Sequence, residues 1–317
     1  MGVHLGYNLL QILFVIGLAP LFEGALARLK EIVQCKTGPS IFQPYRDLAK
    51  LFAKDQVVST QSSWIFETAP FVAFVAPVFV TLLIPVLTSY PLFFAFMGDM
   101  LGAGFILALG GFFTALAAVD TANPYGAMGA SRTRMVGFLT EPVFLIVFMT
   151  ISLVAGSTIP YIVQENWITP PAAFFQPWHV LLVLAFLMLI LAEDGRIPVD
   201  SPTGTFELAM IEKSKSLEYS GRSAALIKWA GAMKFLVLMI VFLNVLVSPW
   251  GLAHSTSLAS VLLAVPLVAF KVLLFLLLLV AIESSLAKLR LFRIAEFTSS
   301  AFVIAVVAMV SRLFAGW

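Results

Sequence analysis

Eight apolar runs dominate this 317-residue sequence, at about 8–27, 65–88, 98–119, 135–156, 176–194, 225–248, 257–283 and 294–315. A helix needs about 20 apolar residues to cross a hydrocarbon layer about 30 Å thick, and within that layer every backbone polar group must be satisfied by the protein itself. Runs of this length predict an all-α, polytopic integral membrane protein of about eight transmembrane helices, folded as a single membrane domain over 1–317. Composition agrees, with 61% hydrophobic and 11% charged residues, where a soluble domain carries about 25% charged.

Charge alternates between the segments that join these runs. Segments 28–63, 120–134, 195–224 and 284–293 hold fifteen Lys and Arg, whereas those near 89–97, 157–175 and 249–256 hold none. The positive-inside rule then puts the basic loops in the cytoplasm of a prokaryotic cell and both termini outside. The N-terminus has no basic n-region, so its first run reads as a span and not as a cleaved signal. Within the first basic segment, Pro44–Lys54 patterns as an amphipathic helix, with Tyr45, Leu48 and Phe52 on one face and Arg46, Asp47, Lys50 and Lys54 polar. Such a helix would lie in the headgroup plane.

Several function classes drop out. A lone Cys35 excludes a disulfide framework or an all-cysteine cluster, and His4, His179 and His254 are scattered. No phosphate-binding glycine loop and no serine-nucleophile motif is present, and a net charge of +2 does not suggest nucleic acid. No redox cofactor is expected in this chain.

The polar stretch 193–221 is where chemistry concentrates. The run before it, Trp178–Ala192, holds 15 residues, so Glu193 and Asp194 fall in the last turns of a span, at membrane depth, followed by Asp200, Glu207, Glu212 and Glu218. An ionisable group at that depth marks a functional site by default. Glu141, next to Pro142, lies within the fourth run, Lys228 and Lys234 within the sixth, and Lys271 near the middle of the seventh, which Glu283 closes. Burying one such charge costs about 2.5–3.5 kcal/mol on insertion scales, so pairing or access to water is required. Carboxylates and lysines on neighbouring spans suit a proton path. A static ion-pair network would use the same residue types.

Three stretches carry a family resemblance: K-T-G-P-S-I-F-Q-P-Y-R-D-L-A-K-L at 36–51, D-T-A-N-P-Y-G-A-M-G-A-S-R-T-R-M-V-G-F-L-T-E-P at 120–142, and the 193–221 loop, with E-x-x-R-I-P-x-D at its start and L-E-Y-S-G at its end. I-E-S-S-L-A-K-L-R at 282–290 adds a fourth. Together they resemble the membrane subunit that joins the redox and proton-pumping arms of respiratory complex I and of group 4 membrane-bound nickel–iron hydrogenases. Arg46, G-A-S-R and the lysines at 228 and 234 favour the hydrogenase branch, of the formate hydrogenlyase and hydrogenase-4 type. The resemblance implies that the basic loops dock a nickel–iron-type large subunit and an iron–sulfur small subunit, with Fe–S clusters and Ni–Fe on those partners, while antiporter-like subunits lie alongside in the bilayer. Lys36, Gly38, Pro39, Gln43, Arg46, Asp47, Asp120, Arg132, Arg196 and Glu218 then fall in the docking loops. Glu141, Glu193, Asp200 and Glu207 match positions that begin the family's proton route, with Lys228, Lys234 and Glu283 as continuations.

Two departures from the family pattern stand out. Thr203 and Thr205 occupy positions where glutamates are common, and a hydroxyl relays a proton but stores no charge. Lys36-Thr37 replaces paired arginines, removing a fork-shaped donor. The readings that follow are an ion-coupling subunit of a hydrogenase-type oxidoreductase, a quinone-site subunit of a complex I-like NADH dehydrogenase, or a purely structural anchor.

Overall fold

The computed structural model describes residues 2–92, 94–95, 98–167, 176–200 and 211–315. Its helices are α1 (Gly2–Val33), α2 (Gln43–Ala53), α3 (Trp64–Leu83), α4 (Met100–Asp120), α5 (Pro124–Ala155), α6 (Pro160–Trp167), α7 (Pro177–Glu193), α8 (Gly221–Val241), α9 (Leu258–Ser285) and α10 (Leu291–Ala315). A 3₁₀ turn (Ser214–Ser216) precedes α8, and a π turn (Phe242–Val247) extends it. The protein is an all-α, multi-pass membrane protein.

Seven of the described helices are long and apolar enough to cross a membrane. The expected eight apolar runs correspond to these seven together with the shorter α7. At 17 residues, α7 measures about 25 Å, less than the hydrocarbon thickness. Its polar C-terminal end therefore sits deep in the bundle.

Local chemistry sets the boundaries that hydropathy misses. The fifth helix begins well before its apolar run because Asn123 accepts from the Tyr125 amide and Pro124 occupies the first turn. It continues through the polar G-A-M-G-A-S-R-T-R stretch and ends at Gly156, whose φ of 70° suits a glycine C-cap. The third helix stops at Leu83, two residues before Pro85, since a residue preceding proline is pushed out of the helical region. The chain then turns back into the protein, where Thr88 pairs with Ala253 in an isolated parallel bridge. The short α6 lies in a segment that hydropathy treats as a loop.

At the centre of the bundle is α8, with 83% of its most apolar window buried. It packs against α1, α2, α3, α7 and α9, while α4 and α5 pack on each other and α10 covers α5 and α7. Small residues permit the close crossings. A Cβ on Gly104 would lie 1.9 Å from the Phe144 ring, and one on Gly110 would lie 3.3 Å from Ala73. The amphipathic helix appears as α2. Its Leu48 is buried, Phe52 meets Trp229 edge-on at 6.2 Å, and Tyr45 donates to the Gly17 carbonyl, so α1 and α8 cover part of its apolar face.

The L-E-Y-S-G end of the polar loop is a buckle. Tyr219 stacks on Phe66 at 4.1 Å and donates to its carbonyl at 2.9 Å. Ser220 bonds both backbone groups of Val57, and Gly221, at φ 52°, would place a Cβ 2.6 Å from the Asp55 carbonyl oxygen. No other residue fits there without strain.

Candidate functional site

The C-terminal end of α7 delivers Glu193 to the middle of a charged chamber. Lys234, on α8, donates to one carboxylate oxygen at 2.8 Å, and the Thr140 hydroxyl, on α5, donates to the other at 2.8 Å. Also on α5, Arg134 meets Glu141 at 3.3 Å and lies 5.4 Å from the centre of the Phe112 ring. Two cavities share these groups. One lies among Glu141, Glu193, Lys234 and the apolar walls of α4 and α5. The other adds Arg134, Asp200, Glu212 and Lys215. A third continues past Glu212 and Lys215 between α3, α4 and α8, and Lys234 borders all three.

The geometry of the chamber wall depends on the turn after α7. Gly195, at φ 58°, reverses the chain, and a Cβ there would press on Glu212 at 3.2 Å. Asp200 is 2% exposed and accepts from the Ile211 amide at 2.8 Å, the Glu212 amide at 3.3 Å and Lys288 at 2.8 Å. It is a latch that fastens both ends of the loop to the segment before α10. Opposite it, Ser214 donates to the Tyr125 carbonyl at 2.9 Å, and a Cβ on Gly129 would lie 2.6 Å from Ser214. The second glycine of G-A-M-G-A-S is thus what lets the 214–216 turn seat on α5. Lys215, paired with Glu212, enters the chamber there.

A second cluster lies where α1, α7 and α9 meet. Lys30 pairs with Glu283, and Arg196 pairs with Asp194 while its guanidinium lies 4.3 Å from the centre of the Phe235 ring. Arg196, expected in a docking loop, is therefore turned inward. At the surface, Lys228 meets Asp47 at 2.9 Å, and Gln43 donates to Asp47 at 2.8 Å. Partial burial pushes the Asp47 carboxyl up, but the hydrogen bonds from Lys228 and Gln43 outweigh it and hold it below the ordinary carboxylate range.

Of the residues expected on an ion route, Glu141, Glu193, Asp200 and Lys234 share one chamber. Asp194 and Glu283 belong to the second cluster, and Lys228 faces Asp47. Lys271 lies at the opposite end of the bundle, and Glu207 lies outside the described residues, as do Thr203 and Thr205. Lys36, Pro39, Arg46 and Glu218 are exposed, while Gly38 and Arg132 are half-buried. Asp120 is internal in role, accepting from the Ser63 amide at 2.6 Å and the Ser63 hydroxyl at 2.9 Å to join the end of α4 to the start of α3. Thr140, Lys215 and Lys30 are chamber or cluster residues that sequence reasoning does not single out. The i,i+3 spacing of Glu212 and Lys215 in an acid-rich loop is the one signal available. Among the described residues no group of His, Cys, Asp and Glu side chains is arranged to hold a metal ion.

A helical bundle with an ionisable chamber enclosed by five of its helices defines a polytopic membrane subunit with an internal charge site. The chain belongs to the NADH dehydrogenase family, whose profile matches residues 7–313. It is 33% identical to hydrogenase-4 component C of Escherichia coli over 309 residues, which covers 96% of this chain and 94% of that one. Formate hydrogenlyase subunit 4 of the same organism is 31% identical over 309 residues, covering 97% and 98%. An NADH-quinone oxidoreductase subunit of Rubrobacter xylanophilus is 24% identical over 253 residues, 75% of this chain and 73% of the relative. The fold is that of a chain in the membrane-bound sulfane sulfur reductase, an archaeal respiratory membrane complex, at a TM-score of 0.83 and 20% identity, covering 98% of this chain and 100% of that one. The protein is thus a membrane subunit of a complex I-like oxidoreductase.

Proposed function

We propose that this chain anchors the soluble arm of a hydrogenase-type oxidoreductase to the cytoplasmic membrane and couples its electron transfer to proton movement, without a redox centre of its own. The single observation that carries this reading is the contact of Glu193 with both Lys234 and Thr140, in a chamber shared by Glu141, Asp200, Glu212 and Lys215. A carboxylate held by one cation and one hydroxyl, next to space for water, can accept and release a proton. Electron transfer near the basic loops changes the local charge, and through the ion pairs of the latch and chamber it biases where protons reside. The hydrogenase branch is favoured over the quinone-site reading because similarity to the two hydrogenase subunits runs nearly full length at 31% and 33% identity. On this reading the exposed Lys36, Pro39, Arg46 and Glu218 meet large and small subunits that carry the Ni–Fe and Fe–S centres, and antiporter-like subunits continue the ion path.

The test is purification of the intact complex in mild detergent through a tag on this chain, followed by metal analysis and activity assay. Nickel in proportion to the complex, with hydrogen evolved or consumed, is the expected result. Iron without nickel, together with quinone reduction, would replace this reading with the quinone-site one.

A further inference from the structure

Thr140 is the neutral member of the Glu193 site. It stands on α5 where that helix packs on α7, and it is 2% exposed. Its Oγ lies 2.8 Å from Glu193 Oε2 and 3.2 Å from the carbonyl oxygen of Gly137, one turn earlier on the same helix. A hydroxyl has one hydrogen to give, so it points at one of these two acceptors at a time. Both lie within reach of a single rotamer: the hydrogen swings about the Cβ–Oγ bond while every heavy atom stays in place. A carbonyl three or four residues earlier is a common acceptor for a threonine hydroxyl inside a helix.

The other carboxylate oxygen has no such freedom. Lys234 donates to Glu193 Oε1 at 2.8 Å, and an ammonium gives hydrogens but accepts none. A proton arriving at Glu193 therefore belongs on Oε2, beside the one partner that can exchange a donated bond for an accepted one. The cavities give it access. Thr140, Glu141, Glu193 and Lys234 line the first, and Arg134, Asp200, Glu212 and Lys215 join Glu141, Glu193 and Lys234 in the second. Among the described residues these are the charged groups that face Glu193, and they come from α5, α8 and the chain between α7 and α8. The α4 wall of both cavities is apolar side chains and glycine, and α10 lines neither.

We propose that Thr140 is the positioning residue that makes Glu193 a reversible proton carrier: its hydroxyl hydrogen points at Oε2 while the carboxylate is ionised, and at the Gly137 carbonyl once Oε2 holds a proton. In the loading step a proton delivered through the cavity bonds to Oε2, the Thr140 hydrogen turns to Gly137, and the new carboxyl O–H donates to Thr140 Oγ. Release runs in reverse. Thr140 keeps its own proton and stays neutral throughout, while Glu193 passes from one negative charge to none. The two side chains remain hydrogen-bonded in both states, so neither form of Glu193 leaves Oε2 or the hydroxyl buried without a partner. The inference deepens the reading of the chamber as proton-conducting and rests on it.

The experiment follows proton movement driven by the complex's own electron transfer in proteoliposomes across a pH series, with T140V, T140S and T140A in the intact complex and E193Q alongside. T140V keeps the shape and loses the hydroxyl. A hydrogen bond to an ionised carboxylate is worth about twice one between neutral groups. Its loss disfavours the ionised form about tenfold, so the pH profile of coupled proton movement in T140V should shift upward by about one unit. T140A should shift likewise, and T140S, which keeps the hydroxyl and loses only the methyl, should retain the parental profile. A parental profile in T140V, or a T140S shift equal to that of T140V, would overturn the role. Failure of T140V and T140A to assemble where T140S assembles would assign the hydroxyl to holding α5 on α7 and would overturn it too. E193Q that loses proton movement while T140V keeps the parental profile removes this inference alone; E193Q at the parental proton-to-electron ratio removes the reading of the chamber with it.

Discussion

A double-mutant cycle on Glu193 and Lys234 measures how strongly the chamber couples its two central charges. At a contact of 2.8 Å the charge centres lie about 4 Å apart, which gives about 4 kcal/mol at an effective dielectric of about 20. Both side chains retain some exposure, 24% for Glu193 and 19% for Lys234, and screening brings the coupling to about 2 kcal/mol. K234M leaves the Glu193 carboxylate with Thr140 alone, and E193Q leaves the ammonium without a counter-charge. Each single change should lower the thermal midpoint by about 4–8 °C, read as retention of the chain in the soluble complex on heating in detergent. The double variant removes both charges while keeping the shapes, and should be no less stable than either single variant. A double variant whose loss equals the sum of the singles, within about 0.5 kcal/mol, would refute the pairing.

Other outcomes follow from particular contacts. G129V forces a side chain into the space of Ser214, now 2.6 Å from where a Cβ would stand, so it should lift the 214–216 turn and expose Lys215 to amine-reactive labelling; unchanged labelling would count against the seating of that turn. Y219F removes the hydroxyl bond to Phe66 but keeps the stack, for about 1 kcal/mol, whereas Y219A should lose about 3–5 kcal/mol; equal losses in the same heating assay would contradict the stacking account. Because Asp47 titrates below the ordinary carboxylate range, its contact with Lys228 contributes fully above about pH 4 and is lost only as pH falls through the depressed value. K228A removes the contact at every pH, so protease cleavage of the 54–63 segment should already be raised at neutral pH and no longer rise on acidification through this range, and a profile unchanged from the parent would argue against the pair.

Apolar runs and basic-segment alternation make the membrane bundle legible because both are one-dimensional properties of the chain. Helix ends are less legible: Pro85 and the Asn123–Pro124 cap act through local geometry that a hydropathy window averages away. The depth of Glu193 follows from the short run before it, and α7 is correspondingly short at 17 residues. Its partner does not follow, since Lys234 is 41 positions away and only the crossing of α7 and α8 brings the two together. The same holds for Asp200 and Lys288. Arg196 reads as a surface docking residue because it sits in a loop, yet the turn at Gly195 folds it under Phe235. Lys271 shares a residue type with the chamber lysines but not their surroundings, and no sequence pattern reveals that its acceptors are the neutral oxygens of Asn244, Ser248 and Trp250.

Whether Glu193 carries protons is read from the number of protons moved per electron pair in proteoliposomes of the intact complex carrying E193Q. E165Q, an exposed change on α6 far from the chamber, serves as the reference. Redox turnover that persists in E193Q while proton movement is lost, with E165Q unaffected, is the predicted result. A proton-to-electron ratio in E193Q equal to that of the parent would show that Glu193 carries no protons.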